Sequence, residues 1–378
     1  MEVCEQISEK TFYYENGHYY NKINYNSVKS KNYENQNISI TTKLNELFDD
    51  SLPDGNIIAD IIQLFDTLNL KCNKMGLIFY ANLNSKISKK IFGNSIAKES
   101  IESIMRIAIK NPKGEFLHKD FAYNKNFYEF KKIILSIFDQ LTNQFVMNKF
   151  LNLEDNKYNI LLSPNAASYL IHEILGHPLE YDYVSSNNSI YTLNDLHMKK
   201  FPKFINIFNS SNKLETLGIK FGKYDDESNL IENTHIIKDG EIVNFIKTKR
   251  NDYVYNKPLY RMYNFYLDQC LLSKNINELI KNIKKGILIE NILGGGVNPF
   301  NGMFYLNCGI SKFINEGNII GNVKNFQIVD NLAVLQNQIL EIGNDLAFSI
   351  GRCIKHGQII NVGMGSPSII IQSLSIVK

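Results

Sequence analysis

One stretch of the chain combines the residue types that hydrolytic chemistry at a metal ion requires. His172 and Glu173 are followed by His177, within residues 167–182, which read as a helix. Two imidazoles can bind a divalent metal, and a neighbouring glutamate can act as a base on water bound to it. The spacing is one residue longer than in the common metal-binding pattern His-Glu-x-x-His. The pattern therefore indicates a candidate metal site.

The extra residue has a geometric consequence. On a regular helix, at ~100° per residue, side chains five positions apart lie about 140° apart. His172 and His177 can reach one ion only if the helix is distorted between them. Gly176 relaxes the backbone and Pro178 disfavours helical geometry at the residue before it, and a π-bulge would serve equally well. The alternative is an accidental pattern on an ordinary helix, and the motif alone leaves both interpretations open.

The elements around this helix are mostly predicted strands. Residues 159–162 read as a buried strand that ends at a proline, and the helix starts near Asn165. Residues 234–243 predict a hairpin with Asp-Gly at its turn, residues 276–285 a helix, and residues 368–377 the last strand. The second half of the chain is therefore predicted to be mainly β.

The first half is predicted to be mixed. Residues 11–20 read as two short strands around an Asn-Gly turn, and residues 77–80 as another strand. Apolar residues at helical spacing predict helices over residues 57–68, 96–109 and 127–150. The fold class is α+β: an N-terminal mixed α/β domain, residues 1–152, precedes a largely antiparallel β domain, residues 153–378, that carries the metal-binding helix. A chain of 378 residues is long enough for about two domains.

Composition excludes several classes of protein. With 41 Lys+Arg against 38 Asp+Glu, the charge is too balanced to indicate nucleic-acid binding. No apolar stretch approaches the ~20 residues of a membrane-spanning helix, and the acidic, polar start is unlike a secretory signal. The five scattered cysteines suit reduced thiols better than a disulfide framework. These features favour a cytoplasmic protein that binds neither nucleic acid nor membrane.

Several segments together resemble one known family. Residues 170–182 resemble the pattern Leu-Leu-His-Glu-x-x-Gly-His-x-Leu-Glu-x-Asp, with Ile171 at its second position. Further motifs of the same family are resembled, in the same order, by Asp-Asp-Glu-Ser at 225–228, Arg-Met-Tyr-Asn at 261–264, Gly-Gly-Gly at 294–296 and residues 352–367. This set resembles the TldD/PmbA family of metalloproteases, also called modulators of DNA gyrase, and more closely its metal-bearing TldD-like subunit. The matches extend over residues 159–378, whereas residues 1–152 match poorly.

The resemblance implies a complete zinc site. His172, His177 and a third ligand, Cys353, would bind Zn²⁺ and leave one tetrahedral position for water. Glu173 would then act as the general base on that water. Mixed nitrogen and sulfur ligands favour zinc over magnesium or calcium. The implied activity is a zinc-dependent peptidase that hydrolyses unfolded or precursor peptides.

Residues close to the motif have less certain roles. Glu180 and Asp182 are predicted to orient the imidazole of His177, with a solvated or salt-bridged position as the alternative. His356, where the family usually has Asp, is a weaker alternative ligand and otherwise a loop residue.

Substrate contacts are expected from two other motifs. Gly294, Gly295 and Gly296 would let a substrate backbone approach and pair as an added strand, or they would form a β-bulge. Arg261 and Asn264 would hold the substrate main chain or a carboxylate, with a buried structural role as the alternative.

Departures from the family pattern keep other functions open. Pro178, Tyr181, Tyr260 and Tyr263 replace smaller or different residues, which would narrow or redirect substrate choice. One alternative is a metal-dependent amide hydrolase of a natural-product or modified-peptide pathway. Another is a non-catalytic subunit of a TldD/PmbA-type complex. The expected partners are a peptide substrate and a second subunit, in a homodimer or in a heterodimer with a related chain.

Overall fold

The computed structural model describes residues 3–15, 17–28, 56–92, 95–114, 116–122, 127–146, 150–210, 233–252, 257–270 and 272–378. The Asp-Asp-Glu-Ser motif at 225–228 lies outside these residues. Contacts divide the described chain into two compact units. The described residues up to Val146 form the first unit, and those from Phe150 onward form the second. The domain ranges 1–152 and 153–378 remain a prediction.

The first unit is a five-stranded antiparallel sheet with two helices. Its elements are β1 (Val3–Glu15), β2 (His18–Val28), α1 (Asn56–Lys74), β3 (Ile78–Phe92), β4 (Ser95–Lys110), β5 (Phe116–Ala122) and α2 (Phe127–Val146). The strands lie in the order β2-β1-β3-β4-β5. The predicted hairpin around residues 16–17 is confirmed as β1–β2, and the helix predicted over 57–68 is confirmed as α1. The helix predicted over 127–150 is confirmed as α2 but ends at Val146, and Phe150 belongs to a strand.

The helix predicted over residues 96–109 is wrong. These residues belong to β4, which pairs with β3 on one side and β5 on the other. Ile104, Met105, Ile107 and Ile109 are all buried, so the segment buries side chains on both faces of the sheet. A strand of that kind lacks polar alternation and cannot be distinguished from a helix by periodicity, whereas its β-branched isoleucines favour the strand.

The second unit contains the candidate metal helix, which follows two strands, and continues mainly as strands. Its elements are β6 (Phe150–Leu151), β7 (Lys157–Leu162), α3 (Pro164–Leu170), α4 (Tyr181–Ser185), β8 (Ile207–Asn209), β9 (Thr234–Lys238), β10 (Glu241–Ile242), β11 (Lys249–Asp252), β12 (Lys257–Tyr260), β13 (Asn264–Leu267), α5 (Ile276–Lys281), β14 (Lys285–Ile289), β15 (Ile292–Val297), β16 (Met303–Cys308), β17 (Ser311–Asn315), β18 (Asn318–Val323), β19 (Phe326–Asn331), α6 (Leu332–Gln338), β20 (Ile339–Ile342), β21 (Ala347–Lys355), β22 (Gln358–Ser366) and β23 (Ile369–Val377).

Two large sheets organise these strands. One has six strands in the order β10-β9-β8-β13-β22-β21, and the other has ten, in the order β15-β16-β19-β23-β7-β14-β17-β18-β6 with β20 also paired to β23. The pairs β13–β22, β7–β14 and β18–β6 are parallel, and the remaining pairs are antiparallel. The fold class is therefore α+β, as predicted.

Sequence predictions in this unit agree with most of these elements. The strand at 159–162 is β7, the last strand is β23, and residues 234–243 form the β9–β10 hairpin. Asp239 and Gly240 both have positive φ, 49° and 80°, as a tight hairpin turn requires. The predicted helix at 276–285 ends earlier, at Lys281, because β14 begins at Lys285 and pairs with β7 and β17.

The helix α3 lies in the core of this unit. Its N-terminus is capped by Ser163, whose Oγ accepts from the Ala166 N–H at 3.4 Å, and Pro164 occupies the first turn. The helix and its extension contact β13 and β22 of the six-stranded sheet and β7 and β15 of the ten-stranded sheet. Within the described ranges, no helix has the length and apolar character needed to cross a membrane.

Candidate metal centre

The candidate metal helix changes geometry where the two histidines lie. After α3 ends, Ile171–Gly176 form a π-helical turn and His177–Leu179 a short 3₁₀ turn. In a π-helix the hydrogen-bonding interval is five residues, so residues five apart come onto one side. The rings of His172 and His177 accordingly have their centroids 5.2 Å apart. The distortion predicted from the spacing is confirmed, in its π-bulge form.

Gly176 is needed here for its small size. Its backbone has ordinary right-handed helical angles, φ −73° and ψ −54°. A Cβ at this position would collide with Sδ of Met262 and lie 3.2 Å from Cε1 of Phe265. Gly176 therefore serves close packing and not backbone relaxation, because its lack of a side chain lets the π turn lie directly against β13.

Cys353 reaches the two histidines from β21. Its Sγ lies 3.3 Å from Nε2 of His177. Ligand atoms of His172, His177 and Cys353 all lie within 4.8 Å of one another. The strand and the π turn, 176 residues apart in sequence for the His177–Cys353 pair, thus meet at one point.

The surroundings of His172 fit a metal ligand. The residue is fully buried, and neither ring nitrogen has a hydrogen-bond partner in the described part of the chain. A buried polar group without a partner costs about 1–3 kcal/mol, which a bound ion would offset. Two imidazole nitrogens and a thiolate are also a donor set that zinc binds well.

The charges at the site suit a cation. Burial alone would raise the pKa of the Cys353 thiol, but the imidazoles of His177 and His172 lower it to about 5. The lowered pKa favours the thiolate, which is the form of cysteine that binds metal. Burial would likewise lower the pKa of His177, yet the Glu180 carboxylate and the Cys353 thiolate hold it well above its usual value.

Glu173 lies between the two imidazoles. Its Oε2 is 3.6 Å from Nε2 of His177, and its Oε1 is 4.0 Å from Nε2 of His172. Burial raises the pKa of this carboxyl group, and the two histidines partly offset the rise. A carboxylate with a raised pKa next to the ligand atoms is well suited to accept a proton near neutral pH.

Glu180 contacts the far side of the His177 ring. Its Oε2 lies 3.1 Å from Nδ1, so the carboxylate orients the imidazole with Nε2 towards Cys353. Asp182 is not part of that contact, because its carboxylate pairs with Lys355 at 2.7 Å. Lys355 is buried and was not singled out in the sequence. A signal was available, since Lys355 follows Cys353 by two residues and so shares its face of β21.

Arg261 and Asn264 are both shielded from solvent. Arg261 is fully buried, and its guanidinium donates to the Cys353 carbonyl at 3.0 Å and to Gln358 Oε1 at 2.7 Å, which braces the β21–β22 hairpin. Asn264 is also fully buried. It shares a sheet face with Tyr266, whereas Phe265 lies against Gly176, so Asn264 faces away from the metal helix.

The three glycines lie on β15, at the end of the ten-stranded sheet. In the described residues β15 pairs only with β16, and it contacts the π turn. A Cβ on Gly295 would lie 2.6 Å from the Tyr305 carbonyl oxygen, while Gly294 and Gly296 have more room. The register also shifts between Ile292 and Gly294, so the predicted bulge and the open strand edge coexist.

Tyr169 and His356 are not among the three candidate ligands. Tyr169, half-buried one turn before Glu173, was missed by the sequence analysis, although residues four apart on a helix are neighbours. Burial and the Glu173 carboxylate raise its pKa, so its hydroxyl stays protonated. His356 lies in the β21–β22 turn with φ 48°, its ring 6.3 Å from that of Tyr183, and does not belong to the three-ligand group.

Similarity to known proteins agrees with this geometry. The sequence profile of the PmbA/TldA metallopeptidase C-terminal domain matches residues 155–378, which include all three candidate ligands. The chain belongs to the PmbA/TldD family. Family membership supports a metallopeptidase at a general level, and a name among the relatives specifies zinc.

The chain has low sequence identity to individual members of the PmbA/TldD family. It is 26% identical over 231 residues to a metalloprotease of Methanothermobacter thermautotrophicus, covering 57% of this chain and 49% of that one. It is 24% identical over 277 residues to the zinc metalloprotease TldD homolog of Saccharolobus solfataricus, covering 70% and 60%. The chain therefore spans about half the length of the curated relatives it matches.

A solved structure shares the whole fold. The crystal structure of TldE from Thermococcus kodakarensis matches with a TM-score of 0.71 at 12% identity, covering 100% of this chain and 96% of that one. At that identity the likeness concerns the fold alone.

Proposed function

We propose that this chain is a zinc-dependent peptidase that hydrolyses peptide bonds in unfolded or precursor peptides. The observation that carries the proposal is the convergence of His172, His177 and Cys353 within 4.8 Å of one another beside the Glu173 carboxylate. Three protein ligands leave one tetrahedral position open, as in catalytic rather than structural zinc sites. A zinc ion bound there would supply Lewis acidity for the scissile carbonyl and for a water molecule.

Glu173 is the proposed general base. Its carboxylate oxygens lie 3.6 and 4.0 Å from the inward Nε2 atoms of the two histidines, close to where a water would be placed. It would take the proton of the attacking water and pass it to the leaving amine. The raised pKa that burial gives this carboxyl group favours both transfers near neutral pH.

The proposed substrate-binding element is the free edge of β15. An extended peptide could pair with Gly294–Gly296 as an added strand, since β15 has no second partner strand in the described residues and contacts the π turn. Recognition would then rest on main-chain hydrogen bonds and tolerate many sequences. Arg261 and Asn264, both buried, contribute to the fold in this proposal and do not bind substrate.

Two related proposals concern assembly and substrate. The first is that the chain associates with a second copy of itself or with a related subunit. The complete ligand set favours a catalytic over a non-catalytic subunit. A metal-dependent amide hydrolase acting on modified peptides is the second candidate function, motivated by Tyr181 and Tyr260, which stand where the family pattern has smaller or different residues and whose rings lie 5.4 Å apart.

A cleavage assay tests the peptidase proposal. Zinc-loaded protein is incubated with a reduced and alkylated, unfolded polypeptide, and products are identified by mass spectrometry beside the variant Glu173→Gln. We expect cleavage by the wild type, and a loss of roughly 10²–10⁴-fold in the variant, which should retain its zinc. Absence of cleavage by the zinc-loaded wild type would contradict the peptidase and favour the modified-amide alternative. Equal cleavage by the variant would contradict the role of Glu173.

A further inference from the structure

Lys355 is a buried cation next to the candidate metal centre. It is 4% exposed, and burying an ammonium group is expensive unless it is paired. We propose that Lys355 is a positioning residue for this centre: it holds Glu180, and through Glu180 it fixes the orientation of the His177 ring. The proposal rests on the metal site of the proposed function.

The contacts form a chain from the lysine to the ligand. Nζ of Lys355 donates to Oε2 of Glu180 at 2.8 Å. The same oxygen lies 3.1 Å from Nδ1 of His177, whose Nε2 faces Cys353 Sγ at 3.3 Å. The other Glu180 oxygen, Oε1, has no hydrogen-bond partner in the described residues. The position of this carboxylate therefore depends on its two contacts through Oε2, with Lys355 and with His177.

The lysine is itself fixed on several sides. Its ammonium also donates to Asp182 at 2.8 Å and to the Tyr260 carbonyl at 3.1 Å, which uses its three N–H donors. It lies 4.2 Å from the centroid of the Tyr183 ring, within the range of a cation–π contact. An ammonium held this way cannot swing to solvent, so it is a rigid support for Glu180.

Lys355 lies on the same strand, β21, as the candidate ligand Cys353. Cys353 and Lys355 are two residues apart on one strand and lie on one face of it. Strand β21 thus supplies both the thiolate of Cys353 and the ammonium group of Lys355. The ammonium group in turn holds Glu180, which contacts the other ligand, His177. A proton kept on Nδ1 by Glu180 leaves Nε2 as the metal-binding nitrogen, which is how such outer contacts set a histidine ligand.

The test compares zinc affinity by chelator competition at fixed pH. We expect Lys355→Met to weaken binding by roughly 10–100-fold and Lys355→Arg, which keeps the charge, to recover most of that loss. Lys312→Met is the matched control, because it removes a 2.7 Å ion pair with Glu290 elsewhere in the same unit and should leave the affinity unchanged. Wild-type affinity in a folded Lys355→Met protein would overturn the proposal.

A double variant covers the case in which Lys355→Met does not fold. The double variant Glu180→Gln/Lys355→Met removes both charges of this pair, so that neither is left unpaired by loss of the other. We expect the zinc affinity of the double variant to equal that of Glu180→Gln alone. A further loss in the double variant would show that Lys355 does not act through Glu180, and would overturn the proposal.

The second readout does not depend on activity or on zinc. In protein with ¹⁵N-labelled histidine, the Nδ1–H proton of His177 should give a protected NMR signal in the wild type and in Lys355→Arg, and lose it in Lys355→Met. An unchanged signal in Lys355→Met would contradict the positioning role. Failure of the peptidase proposal would instead appear as an inactive wild type with this signal intact.

Discussion

The two histidines of the metal centre have opposite surroundings. His177 is contacted on both ring nitrogens, by Glu180 at 3.1 Å and by Cys353 at 3.3 Å. His172 is buried as deeply, but its two nitrogens have no hydrogen-bond partner in the described residues.

The difference shows which part of the site the fold builds by itself. On the side of His177, both ring nitrogens have a partner without an ion, one in Glu180 and one in Cys353, so this half is preorganised. On the side of His172, the protein retains an unsatisfied buried imidazole, at a cost of about 1–3 kcal/mol. A bound metal ion would remove that cost by giving the imidazole of His172 a partner. We therefore expect ion binding to stabilise the His172 side more than the His177 side.

The largest expected effect concerns the thiolate of Cys353. Metal-free, reduced protein should show thiolate absorbance at 240 nm that disappears as the pH falls through about 5, where an ordinary thiol titrates near 9.0. Because the pKa of the folded form is the lower one, the thiolate adds stability that is fully present above pH 9 and lost as the pH falls through 5.

Two variants sharpen that titration. Cys353→Ala should lack the low-pH step, and His177→Leu should move it towards 9, since the imidazole of His177 is the leading cause of the lowered pKa. A wild-type thiol that titrates near 9 would show that the His177 side is not charged before metal binds.

The next effect compares the two histidines directly. In metal-free protein, His177→Leu removes the imidazole that contacts the Cys353 thiol and one of the two groups that contact Glu180, with Lys355 remaining on the carboxylate, and should lower the free energy of unfolding by about 1–3 kcal/mol. His172→Leu removes an imidazole that also lowers the pKa of the Cys353 thiol, but it relieves a buried polar ring without a geometric hydrogen-bond partner in the described residues, and should change the free energy of unfolding by less, within about 1 kcal/mol. Urea unfolding in the presence of a chelator measures both. Equal losses in the two variants would remove the distinction between the two sides.

The smallest effect tests the packing behind the π turn. Gly176→Ala places a methyl group against Met262 and should destabilise the protein by about 1–3 kcal/mol, because the core has no room for it. The variant Met262→Ala is expected to be destabilised on its own, yet to tolerate the added methyl group at position 176. Thermal unfolding of the single and double variants measures this coupling, and simple additivity would contradict the close approach.

Local spacing predicted much of this centre. Because His172 and His177 are five positions apart, a shared metal ion required a distorted helix, and a π turn is present. Cys353 came only from the family resemblance, because nothing local marks a lone cysteine as a ligand. Lys355 escaped notice because its partner Glu180 is 175 residues away in sequence, and such a pairing depends on the sheet.

Two other predictions also depended on contacts that are distant in sequence. The isoleucines of β4 satisfy a helical period and a doubly buried strand equally well, and pairing with β3 and β5 decides between them. Asn264 belongs to a motif that suggested substrate binding, but strand alternation turns it away from the metal helix. Motif membership identified the family, whereas side-chain direction required the fold.

The most direct test of the account is the metal content of the purified, reduced protein, wild type beside Cys353→Ala. We predict close to one zinc per chain in the wild type and a sharp reduction in the variant, because the thiolate is one of three ligands. If the wild type bound no zinc even after loading under reducing conditions, the three residues would not form a metal site in this chain alone, and the proposed catalytic centre would be contradicted.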